Sequence, residues 1–297
     1  MTVQGTTDPR FAACREAMAA NLADGYDLGC SLAVVRDGEI VVDLWGGHAD
    51  AAKTRQWQDD TLVNIWSATK GVMALAIAMA VERGQLDYSA PVAEVWPEFA
   101  ANGKEAITLD LVMSHRAGLN GLDVAMDVQG VYDWFPYADA FAAMAPLWEP
   151  GSRCVYHAMS YGHLAGEALR RVDGRMPGLF VAEEITGPLG LDIHIGLAQD
   201  QDHRAAEITA SDDAGDWLAE LERSGYRHAM HQPVVTALTP NQRAWRAAQI
   251  PAGNGQANAL SMAKLYGLLA TGGGDLISPD GIKAATALRF EGMDPSL

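Results

Sequence analysis

Residues 71–81, GVMALAIAMAV, hold no charged side chain and follow directly on Lys70. Ala, Leu and Met recur in them, and these are strong helix formers. A helix that is apolar on every side has no face to turn to water and must be buried. The run is too short for a convincing bilayer span. The chain therefore has to build a core around this segment, with Lys70 carried in at its head. Buried lysines are rare and need a reason. Ser67 supplies one. Residues three apart on a helix share a face, so the Lys70 amine can approach the Ser67 hydroxyl. Burial disfavours the ammonium and lowers its pKa, as a general base working near neutral pH requires. The helix N-terminus adds free N–H groups and positive potential for a developing oxyanion. The competing reading is a serine cap followed by a lysine that snorkels to the surface. The helix is expected over 67–84, closed by Gly84.

Spacing alone does not decide between these readings, because Ser261-Met262-Ala263-Lys264 repeats it. That second pair lies in NALSMAKLYGLLATGGG, an amphipathic pattern with Leu260, Leu265, Leu268 and Leu269 apolar and Lys264 toward solvent. Only the apolar surroundings of Lys70 single out Ser67.

The remaining chain reads as mixed structure. A helix is expected over 11–23, with Phe11, Cys14, Met18 and Leu22 near one face. A β-hairpin follows, with strands at 31–35 and 40–45 around Asp37-Gly38, a dipeptide suited to a tight turn with positive φ. Residues 50–60 are polar and read as loop. Thr108 is a plausible N-cap for a helix through Met113, and another helix is expected over 160–172. Residues 199–231 are charged and weakly periodic, as in a cap or surface insertion. Strands followed by a long helical middle imply an α+β fold with a helical subdomain. The expected division is 1–70 for the N-terminal helix, the hairpin and the start of the nucleophile helix. Residues 71–245 form the mainly helical subdomain, and 246–297 the helices that return to the α/β part.

A net charge of −17 argues against nucleic acid and anionic membranes as partners. The first residues lack a basic region followed by an apolar core, so no secretory leader is expected. Cys14, Cys30 and Cys154 are an odd set without paired spacing, which fits free thiols and the cytoplasm. Gly-x-Ser-x-Gly, Gly-x-Gly-x-x-Gly and P-loop motifs are missing. His115, His157 and His163 do not form a helical zinc pair with a glutamate. Neither a metal nor an organic cofactor is expected.

Three blocks in order, SATKGVMALAIAMAVERGQLDYSAPVAEVWPEF, ITLDLVMSHRAGL and EPGSRCVYHAMSYGHLAGEALRRVDGR, resemble the β-lactamase-related serine hydrolases. That group includes class C β-lactamases, D-alanyl-D-alanine carboxypeptidases and family VIII carboxylesterases. The resemblance runs from about residue 10 to 290. It implies a β-lactamase/transpeptidase-like fold, an antiparallel sheet flanked by helices. Ser67 then matches the acylated nucleophile, and Lys70 the lysine that activates it. Tyr156 matches the tyrosine that relays a proton to the leaving group, with Tyr161 as the alternative. His115 falls in a block that shapes the fold. His157 is expected to line the site beside Ala158.

This chain departs from the pattern at two points. Lactamases carry Tyr-x-Asn where this chain has Tyr156-His157-Ala158, and the asparagine helps hold the lactam amide. Its absence favours an esterase. The third motif, Lys-Thr-Gly or an esterase variant, should follow on a late strand and is not found. Trp45-Gly46-Gly47 and Lys53-Thr54-Arg55 come too early, and Thr271-Gly272-Gly273 closes a helix. The resemblance thus suggests a chain truncated at its C-terminus, an incomplete sheet, an open site and self-association through the free edge. The expected activity is hydrolysis of short-chain acyl esters, small molecules, through an acyl-Ser67 intermediate. The alternatives are a β-lactamase, D-Ala peptidase or acyltransferase of the same fold, and a non-catalytic relative.

Overall fold

The computed structural model describes residues 2–210 and 235–294. Of the expected cap at 199–231, residues 211–231 lie outside the described residues. What remains is a short 3-10 helix, Gln199–Arg204, and an extended stretch.

The main sheet is antiparallel, and its strand order sets where the site lies. β1 (Gln4–Thr7), β2 (Gly29–Arg36) and β3 (Glu39–Gly47) pair in the order β1-β3-β2. The β2–β3 hairpin closes at Asp37-Gly38, whose φ values of 52° and 84° are those of a type I′ turn. This turn matches the right-handed twist of the strands it joins. β1 covers the other edge of β3, with Gly5 opposite Leu44. A Cβ at Gly5 would stand 2.0 Å from the Asp43 carbonyl oxygen, so glycine is required there. Helix α1 (Ala12–Asp24) lays Met18 and Leu22 on Val42 and Leu44 of β3. Among the described residues, no strand pairs with the second edge of β2, and the three later strands that the resemblance implies are not part of this sheet.

Helix α2 (Thr69–Glu82) runs through the centre of the larger core. Val72, Met73, Ala76, Ile77 and Ala80 are wholly enclosed, as a helix apolar all round must be. They pack among Phe99, Phe141, Leu164 and Trp245. The short helix α3 (Leu109–Met113) starts at Thr108, whose hydroxyl accepts the Leu111 N–H at 3.3 Å. Helix Ser160–Asp173 packs on α2, and helix Ala259–Ala270 packs on β2.

A second sheet ties distant segments together around the start of α2. β4 (Val63–Asn64), β5 (Ile193–His194) and β6 (Gln256–Ala257) are two residues each, ordered β4-β6-β5. No helix among the described residues is long and apolar enough to cross a membrane.

Candidate active site

Ser67 lies in a 3-10 turn, Trp66–Ala68, at the head of α2. The preceding Trp66 has φ 46°, a costly conformation for a bulky residue. Such strain persists only where neighbours over-determine it, and here they do. The Trp66 ring packs on Trp245, with centroids 5.8 Å apart. Trp245 in turn donates its indole N–H to Asn64 of β4 at 2.9 Å. The Thr69 hydroxyl donates to the Trp66 carbonyl and accepts the Gly255 N–H at 2.9 Å.

Lys70 is one turn further on and 8% exposed. Its Nζ lies 3.1 Å from Ser67 Oγ and 2.8 Å from each of the carbonyl oxygens of Ala158 and Ala252. Burial pulls its pKa down to about 7. A neutral amine has two N–H bonds and one lone pair. With both N–H bonds taken by carbonyls, the lone pair is left facing the Ser67 hydroxyl. The loop that carries Ala252 is braced by Asn254, which is wholly buried. Its side chain accepts the Ile250 N–H and donates to the carbonyls of Trp245 and Ala248. A buried asparagine inside the glycine-flanked run PAGNG is the signal that could have marked this loop in the sequence.

Tyr156 lies on the extended stretch before helix Ser160–Asp173. Its ring centroid is 4.8 Å from Lys70 Nζ. Tyr161 is 5.9 Å away by the same measure but enclosed, and burial pushes its phenol pKa well up. A cavity of about 460 Å³ opens beside Ser67, with Tyr156 and Ala158 also in its lining and Trp66, Met159 and Val235 as apolar walls. Its described lining holds no lysine, arginine or carboxylate.

Ser67, Lys70, Tyr156 and Ala158 are thus brought together, and His157 is turned away. His157 is wholly buried, donates Nδ1–H to the Val155 carbonyl at 2.7 Å and accepts the Leu119 N–H on Nε2 at 3.3 Å. Tyr156 lines the cavity and His157 does not. Burial keeps His157 neutral, with its pKa near 4. His163 stacks on Trp134, with ring centroids 4.5 Å apart, and does not line the cavity. Ser261 is also buried, and its hydroxyl accepts the Asp192 N–H at 2.9 Å while Lys264 is exposed. The second Ser-x-x-Lys therefore braces the approach to β5.

Comparison with known proteins identifies the family. The beta-lactamase family profile matches residues 15–296. The esterase/beta-lactamase LipL of Mycobacterium tuberculosis is 38% identical over 282 residues, which cover 91% of this chain and 65% of LipL. Among solved structures, a family VIII carboxylesterase matches with TM-score 0.86 and 42% identity, over 95% of this chain and 76% of that one. A penicillin-binding protein homologue from Caulobacter crescentus matches with TM-score 0.89 and 40% identity, over 99% of this chain and 79% of its own. This chain spans 65% of the length of LipL.

Proposed function

Because the chain belongs to the beta-lactamase family, we propose that it is a serine carboxylesterase that hydrolyses short-chain acyl esters through an acyl-Ser67 intermediate. The observation that carries this reading is the buried Lys70 amine, held by two carbonyls 3.1 Å from Ser67 Oγ, with Ser67 itself in the lining of an apolar cavity. Ser67 Oγ attacks the ester carbonyl and its proton passes to Lys70 Nζ. Tyr156 gives its phenolic proton to the departing alkoxide and regains one from the Lys70 ammonium. Water then attacks the acyl-serine, and proton transfer back to Ser67 Oγ releases the acid. The Ser67 main-chain N–H, at the positive end of α2, is the oxyanion donor in this reading. Relatives named as an esterase/beta-lactamase and a family VIII carboxylesterase support the reaction class. The free thiols of Cys14, Cys30 and Cys154 are consistent with the cytoplasm as its compartment. Intact-mass detection of a fluorophosphonate adduct, with the labelled peptide identified, tests the assignment. A label on Ser261 would overturn it.

A second reading, β-lactam hydrolysis, is favoured by the likeness to LipL, an esterase/beta-lactamase by name. Ala158 offers no side-chain amide to hold a lactam, and the described cavity lining offers no cation for a substrate carboxylate. Esters should therefore be turned over faster than a chromogenic cephalosporin by about tenfold or more, the value of one or two hydrogen bonds realised in the transition state. Equal kcat/KM on p-nitrophenyl acetate and the cephalosporin would reverse the preference.

A further inference from the structure

The extended stretch that carries Tyr156 is clamped from both sides. Val155 donates its N–H to the His115 carbonyl at 3.0 Å, and His157 donates its N–H to His115 Nδ1 at 3.1 Å. Tyr156, between them, donates its N–H the other way, to Asp294 Oδ2 at 2.8 Å. Successive N–H groups of an extended chain alternate in direction, so one residue can hold 155 and 157 while another holds 156. The His115 ring also packs on the Tyr156 ring, with centroids 5.0 Å apart. His115 adopts φ 61°, an uncommon conformation for a non-glycine residue. That backbone lets its carbonyl and its ring nitrogen serve the same neighbouring stretch. Burial keeps the ring neutral, with its pKa near 3, so Nδ1 remains an acceptor at neutral pH.

We propose that His115 and Asp294 are positioning residues that hold the Tyr156 phenol in line with the leaving-group oxygen. Neither touches substrate in this scheme. The inference rests on the reading of Tyr156 as proton donor to the alkoxide.

Leaving-group dependence separates positioning from mere structure. p-Nitrophenolate departs without a proton, whereas the ethoxide of ethyl acetate needs one. His115→Ala and Asp294→Ala should each lower kcat on ethyl acetate by about 10–10²-fold, the scale of a roughly 1 Å misplacement. They should change KM little and p-nitrophenyl acetate turnover far less. Asp294→Asn, which keeps an accepting oxygen, should recover most of the loss. In a Tyr156→Phe background, adding either alanine should cost nothing further. Equal losses on both esters, or losses that multiply in the double variant, would overturn the proposal while leaving the role of Tyr156 intact. Unchanged ethyl acetate turnover in Tyr156→Phe itself would overturn the reading of Tyr156. Should His115→Ala fail to fold by thermal melt, the Asp294 variants decide the matter alone.

Discussion

Ser67→Ala should lower ester turnover by several powers of ten, up to ~10⁶-fold, because loss of the nucleophile forfeits most of what a cooperative catalytic set contributes. The geometry supports so large a loss. In the neutral amine the Lys70 lone pair is turned to the Ser67 hydroxyl, since both N–H bonds are engaged by the Ala158 and Ala252 carbonyls. Removing Oγ leaves the proposed base without the nucleophile it is placed to activate. Ser261→Ala supplies the matched control. It deletes the acceptor of the Asp192 N–H and should cost about 1 kcal/mol of stability, with kcat/KM near the parent value. Steady-state kinetics on p-nitrophenyl acetate and thermal melts of both variants measure this. A Ser67→Ala enzyme within tenfold of the parent would remove Ser67 from the nucleophile's place.

Lys70→Ala should cost roughly 10²–10⁴-fold in kcat, the range of a positioned acid–base group. Lys70→Arg should not rescue it, because a guanidinium stays protonated and cannot accept a proton near neutral pH. The pH profile gives the sign. Burial depresses the Lys70 pKa from the ordinary lysine value to about 7. In the proposed mechanism the active form is the neutral amine, so kcat/KM should rise with pH through about 7 and level off above it. Below that pH the ammonium has no lone pair for Ser67, and activity falls tenfold per unit. An acidic limb that survives unchanged in Lys70→Ala would assign the titration to another group.

The parts of this protein legible in the sequence are those set by neighbours a few residues apart. The uncharged run at 71–81 demanded a buried helix, and α2 is buried there at every residue but Gly71, Ala74 and Val81, which are partly buried. Asp37-Gly38 could supply two consecutive positive φ angles, and the hairpin turns there. Ser67 and Lys70 are within reach of each other because three residues make nearly one helical turn, and their atoms stand 3.1 Å apart.

What tertiary structure decided lies at long range. β1, Gln4–Thr7, is four residues with no apolar alternation, and it became a strand through its pairing with β3. Strands of two residues, as in β4, β5 and β6, carry no periodicity to read. The Ala252 carbonyl reaches Lys70 across 182 residues, and the Asp294 carboxylate reaches Tyr156 across 138. A main-chain carbonyl has the same chemistry at every residue, so no sequence pattern marks the one that will face an amine. The sequence by itself determined that a lysine would be buried next to a serine. Only the packing of remote loops decided which oxygens would hold its two N–H bonds, and hence where its lone pair would point.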